Sequence, residues 1–95
     1  MYLRIYKMPG KGEIVAACDR ELLNRTLTFG DIEFFVDEKF YGNTPATEEE
    51  LITALKEAEN ANLVGIKVVS VAIRCGAAEQ ESCLMIGDIP HIQIL

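Results

Sequence analysis

His91 is the one histidine in the chain, and imidazole is the side chain whose charge changes nearest neutral pH. It follows Pro90 at the start of a terminal apolar run. There the ring could serve as a general base or a ligand-recognition group, or simply bond a loop carbonyl. Asp88, three residues earlier, could orient the ring, although Asp after Gly is also ordinary turn chemistry. Asn60 and Asn62 flank a junction between two candidate helices, where an asparagine either caps a helix or reads a ligand through its amide. Phe40-Tyr41-Gly42-Asn43 sets two aromatics beside a flexible turn, either as a partner-anchoring site or as packing under a loop. Tyr41, Asn62, Asp88 and His91 are therefore the candidate binding residues.

Other chemistry-bearing residues fall into weaker patterns. Gly10-Lys11-Gly12 lacks the spacing and the following Ser or Thr of a phosphate-cradling loop, and a hairpin turn accounts for it. Ser70 and Ser82 sit in no nucleophile elbow. Asp31, Glu33 and Asp37 share one face of a candidate strand, with Glu38 beside them. A magnesium site is conceivable there, and a solvated sheet face is the plain alternative. Cys18, Cys75 and Cys83 contain no pair two to four residues apart, so a zinc site would need all three to converge on His91. They read as small buried hydrophobes in a reducing compartment. No catalytic residue, metal ion or cofactor is assigned, and the motifs weigh against an enzyme.

Bulk properties narrow the partners. Acidic side chains outnumber basic ones 15 to 9, giving a net charge of −6. Tight autonomous nucleic-acid binding normally needs a basic surface that releases phosphate counterions, so it is disfavoured. The acidic balance fits a solvated surface or a basic partner. No apolar run approaches the roughly 20 residues that cross a bilayer. Met1 to Lys7 alternates polar and apolar residues, unlike a signal peptide. A cytoplasmic protein of one domain, residues 1–95, is expected, with no membrane association.

These residues must be positioned by a small set of elements. Residues 1–8 and 13–18 read as strands around a Pro9-Gly10 reversal. Asp19 suits the cap of a short helical turn carrying Leu22 and Leu23 inward. Residues 31–36 form a third strand with Ile32, Phe34 and Val36 on one face, and Phe40 to Asn43 end that half in a turn. Thr47 with Glu50 forms a capping box ahead of Leu51, Ala54, Leu55 and Ala58 at helical spacing, and this helix should fade near Asn60 to Asn62. Residues 66–74 are β-branched, which favours a strand, yet Lys67, Ser70 and Arg74 recur at the helical interval. A helix is expected there, with Gly76 at its C-cap. Residues 83–86 and 91–95 read as short strands around Gly87-Asp88-Ile89-Pro90. The sum is an α+β two-layer domain, two helices packed on a mixed or antiparallel sheet of about five strands.

Several segments together resemble the archaeal domain-of-unknown-function 424 family. They are Tyr2-Leu3-Arg4-Ile5-Tyr6, Ala16-Ala17-Cys18-Asp19, Glu21-Leu22-Leu23, Phe40-Tyr41-Gly42, Ala61-Asn62-Leu63-Val64-Gly65 and Ile86-Gly87-Asp88-Ile89-Pro90-His91-Ile92-Gln93. The resemblance spans nearly the whole chain, and its last two segments are the most specific. It implies an archaeal cytoplasmic protein with a two-layer α/β fold and a helix after Gly65. It also implies company with translation-initiation or ribosome-assembly factors, while assigning no activity. The expectation is a non-enzymatic interaction module linked to translation or RNA processing, with a protein or ribonucleoprotein partner. The alternative is a small-molecule-binding protein or enzyme using His91 with Asp88 and Asn62. A homodimer through an open sheet edge is a further option.

Overall fold

Alternation of polar and apolar residues sets the first two strands, β1 (Tyr2–Met8) and β2 (Gly12–Cys18), which pair antiparallel from Tyr2↔Cys18 to Met8↔Gly12. Their connection is tight: Gly10 adopts φ 75°, and Lys11 N–H donates to the Met8 carbonyl at 3.0 Å. The computed structural model describes residues 1–95. Val15 to Cys18 are 0% exposed, so β2 is interior on both faces. The small side chains of Ala16 and Ala17 let the layers above and below approach closely.

After β2 come a 3-10 turn (Arg20–Leu22) and a hairpin of β3 (Thr26–Phe29) and β4 (Ile32–Phe35). Then follow α1 (Glu38–Tyr41), α2 (Glu48–Glu57), β5 (Ala58–Val64) and α3 (Ile66–Arg74). A second 3-10 turn (Gln80–Ser82) leads into β6 (Leu84–Ile86) and β7 (Ile89–Ile94). The main sheet has the order β1-β2-β5-β7-β6, and β3-β4 stands apart as a two-stranded sheet. Only β2 and β5 run parallel; the other neighbours are antiparallel. A parallel pair requires a crossover, and α2 lies on that path.

Both long helices form for the expected reasons. Thr47 N–H donates to Glu50 Oε1 at 2.9 Å and Glu50 N–H to Thr47 Oγ1 at 3.1 Å, completing the capping box of α2. The helix then buries Leu51, Ala54 and Leu55. In α3 the helical interval of the polar residues prevails over β-branching, because it turns Val68, Val69, Val71 and Ala72 together into the core. Gly76, at φ 82°, closes the helix. Both helices pack on the sheet face lined by Val15, Ala17, Ala61, Leu63 and Ile92. The opposite face, with Ala16, Cys18 and Val64, is covered by Leu22, Val36 and Tyr41 from the turn, hairpin and α1 region. The fold is thus α+β, with two helices on a five-stranded mixed sheet. No helix is long and apolar enough to cross a membrane.

Four local expectations need correction. Residues 58–64 are not a fading helix end but β5, at the centre of the sheet. Burial between β2 and β7 overrides the weak strand propensity of Ala58-Glu59-Asn60-Ala61-Asn62. Residues 26–29 form β3, so 31–36 is the second half of a hairpin, in which Ile32 stays exposed while Val36 is buried. Phe40 and Tyr41 belong to the single-turn helix α1, which ends at Gly42 (φ 72°). Finally, Asp19 caps a helix distant in sequence. Its Oδ2 accepts from Lys67 N–H at 2.9 Å and its Oδ1 from Val68 N–H at 3.0 Å, at the N-terminus of α3.

The Asp19 contact dictates its neighbour. Gly65 precedes α3 at φ 123°, and a Cβ there would lie 2.3 Å from Asp19 Cγ. Asp19→Ala leaves the buried Val68 N–H and the part-buried Lys67 N–H without their charged acceptor and should cost about 2–4 kcal/mol in denaturant unfolding. Gly65→Ala should cost about 2 kcal/mol or more through the clash and the backbone strain. The double variant should lose less than the sum, because removing the carboxylate removes the clash; strict additivity would refute this coupling.

Candidate functional site

Three of the four candidate residues meet in the second core. Val64 pairs with His91 and Asn62 with Gln93 across β5 and β7, so Asn62 and His91 lie diagonally on one sheet face. Tyr41 ends α1 and drops its ring beneath that face, 2% exposed. Its hydroxyl donates to Asn62 Oδ1 at 2.6 Å, and His91 Nε2 lies 3.1 Å from the same oxygen. An amide oxygen only accepts. His91 therefore donates from Nε2, which in the neutral ring leaves Nδ1 as the acceptor. The Phe34 ring of β4 covers the imidazole at 4.8 Å, tilted by 52°.

Burial sets the electrostatics of this cluster. Desolvation lowers the His91 pKa below its ordinary value and so favours the neutral ring. Tyr41 is raised by burial and then by the neighbouring Cys18. The Cys18 thiol is pushed up to about 12, by burial first and by Asp19 next, so no thiolate nucleophile is available there. Every buried side-chain nitrogen and oxygen of the chain has a hydrogen-bond partner. The trio fastens α1 and β7 to the sheet centre.

Asp88 does not join it. It sits exposed in the β6–β7 turn with no side-chain hydrogen bond, because the Gly87-Asp88 reversal carries it past the end of the sheet. Asn60 lies within β5 opposite Ile14 and caps no helix. Among the acidic candidates, Asp31 and Glu33 are exposed, and Asp37 caps α1 through Lys39 N–H at 2.9 Å. No group of three His, Cys, Asp or Glu side chains is placed to hold a metal ion.

A polar cluster joins Glu38 and Asn43, which the sequence placed in separate candidate groups, to Asn24, which it did not single out. Glu38 accepts from Asn24 Nδ2 and Asn43 Nδ2, both at 2.9 Å, and Asn24 is held at φ 64°. This cluster lines an open cleft of about 610 Å³ shared with Arg4, Phe35, Asp37 and Lys39. For Asn24 the one sequence signal was the residue type, since asparagine tolerates left-handed geometry. No cleft of the molecule is lined by Tyr41, Asn62 or His91.

The fold and this network define a small mixed-sheet α+β domain with a polar trio on one face of its sheet. The chain belongs to DUF424, a family of proteins of unknown function, whose model matches residues 6–95. It is similar to the crystal structure of an uncharacterized conserved protein from Methanopyrus kandleri, with a TM-score of 0.78 and 24% sequence identity. That likeness covers 98% of this chain and 88% of the other, and it establishes the fold. No curated protein matches the chain.

Two outcomes follow from the cluster. The folded-state pKa of His91 lies below its unfolded value of 6.5, so the unfolded chain binds the proton more readily. The neutral ring's contribution is full above pH 6.5 and declines as pH falls toward the depressed folded value. Denaturant unfolding should show this loss in the wild type and not in His91→Gln. Parallel pH curves for the two would refute it. In the native protein, iodoacetamide should spare Cys18 and modify it only on unfolding, as read by mass spectrometry; prompt native-state modification would contradict its burial.

Proposed function

We propose that this chain is a non-enzymatic interaction module that binds a basic protein or ribonucleoprotein partner in the translation or RNA-processing machinery. The observation that carries the reading is where large apolar side chains lie in solvent. Phe29, Ile32 and Phe35 on the hairpin, and Ile5, Met8 and Phe40 beside β1, are 36–58% exposed. Phe29 and Ile32 pair directly across the hairpin, and adjoining apolar side chains in the open commonly mark interaction surfaces. The net charge of −6 supports a basic partner over naked RNA, for which electrostatic attraction would be lacking. The translation or RNA-processing setting draws on the family resemblance alone.

Affinity capture of the tagged protein from its native cells, with and without ribonuclease, tests this reading. Ribosomal or initiation-factor proteins should be recovered, should survive ribonuclease, and should elute as salt rises. Loss of all partners on ribonuclease treatment would replace the protein interface with an RNA bridge. Recovery of nothing above the untagged control would sink the reading.

A further inference from the structure

We propose that the open edge of β1, at Ile5 and Lys7, is a strand-addition site for an extended segment of a partner protein that alternates basic and apolar residues. This deepens the interaction-module reading and rests on it. Successive backbone groups of a strand point to opposite edges. Leu3 N–H donates to the Thr44 carbonyl at 3.1 Å, and Ala46 N–H donates to the Met1 carbonyl at 3.0 Å. The odd-numbered residues of β1 therefore face away from β2. Residues 44–46 already add to this edge, through an antiparallel bridge between Tyr2 and Pro45. Ile5 and Lys7 continue the row, and no strand or loop pairs with them.

An added strand sends alternate side chains to opposite faces, and β1 is flanked by a groove on each. On the helix side, an open groove of about 430 Å³ runs between Ile5 and α2, bordered by Glu13, Glu49, Glu50 and Glu57 and by the single cation Lys7. Glu50 serves the capping box, and Glu13 lies 3.7 Å from Lys7, while Glu49 and Glu57 have no salt-bridge partner. On the other side, a groove of about 400 Å³ is lined by Ile5, Tyr6, Met8, Ile14 and Phe40 together with Arg4 and Lys7. The Tyr6 and Phe40 rings stack there at 5.7 Å. A bound strand thus meets carboxylates on one face and, on the other, aromatic and aliphatic surface where Arg4 and Lys7 repel a further cation and leave the contact to apolar side chains. Lys or Arg at every second position, with apolar residues between, complements both. A second copy of this chain fits less well, because it sets −6 against −6.

The test uses the full chain and a labelled, end-blocked eight-residue peptide alternating lysine and leucine, titrated by fluorescence anisotropy. The peptide should bind. A glutamate–leucine version should not, and Glu49→Gln with Glu57→Gln should weaken binding about tenfold and flatten its salt dependence. Lys7→Pro should also weaken it about tenfold, since it removes an outward donor while the β1–β2 ladder runs through Arg4, Tyr6 and Met8. On the unaltered protein, N-methylating every second peptide nitrogen should be tolerated in one frame and cost about tenfold in the other. No binding, equal binding in both frames, or a wild-type dimer that Lys7→Pro dissolves in sedimentation would overturn the edge site. If cellular partners still co-purify with Lys7→Pro, the edge falls and the module reading stands; if the wild type captures none, the module reading fails.

Discussion

One buried carboxylate holds the frame together. Asp19 is 2% exposed and meets the first N–H groups of α3, where unpaired donors and the positive end of the helix dipole converge. A carboxylate taken from water costs several kcal/mol unless its lone pairs are matched. Here both oxygens are bonded to backbone donors almost fifty residues away. Asp19 N–H also donates to the Val64 carbonyl at 3.1 Å, and Gly65 N–H to the Pro90 carbonyl at 3.0 Å. The end of β2, the β5–α3 corner and the start of β7 are therefore fixed at one point. Gly65 is the residue that lets this happen, because any side chain there would occupy the space of the carboxylate.

The polar trio inherits its geometry from that corner. Pro90 is bonded to Gly65, so His91 is delivered opposite Val64 and diagonal to Asn62. Asn62 is a poor residue to bury at the centre of a sheet unless its oxygen is satisfied, and Tyr41 and His91 satisfy it twice. Such a network selects one packing of α1 and β7 over near alternatives, since any shift leaves a desolvated amide or hydroxyl unpaired. The small side chains of β2 extend the same logic: Ala16 and Cys18 leave room for the Tyr41 ring beneath the sheet.

Local codes were legible in the residues, and long-range ones were not. The Thr47–Glu50 capping box, the Pro9-Gly10 and Gly87-Asp88 reversals and the helical interval of Lys67, Ser70 and Arg74 each act within a few residues, so pattern alone reveals them. The strand β5 was hidden because Ala58 to Asn62 has no β-branched residue; its conformation is imposed by β2 and β7 on either side. Asn62 stood out in the sequence as a helix-junction residue, whereas it lies within β5. Its partnership with His91 depends on a strand register that appears only once the sheet is assembled. Asp88 was grouped with His91 by proximity in sequence, whereas the tight turn separates them in space. Asp19 was recognisable as a cap, but the helix it caps lies beyond the reach of local pattern.

The contrast between interior and edge bears on where a partner can gain anything. Within the trio Asn62 Oδ1 already accepts from Tyr41 and His91, so a ligand that took either bond would exchange one satisfied arrangement for another. At the β1 edge the exchange runs the other way. The outward backbone groups of Ile5 and Lys7 have no partner within the chain, and Ile5, Met8 and Phe40 leave apolar surface exposed on an edge flanked by Glu49 and Glu57, which have no salt-bridge partner. Association there adds backbone hydrogen bonds, removes apolar surface from water and pairs free charges without dismantling any native contact. Natural sheets usually blunt such edges, and this chain does so at Met1 and Leu3 with its own residues 44–46. The cover stops where the two grooves begin. An edge closed at one end and left open between an acidic and an aromatic groove is a surface on which a basic extended segment gains from every term at once.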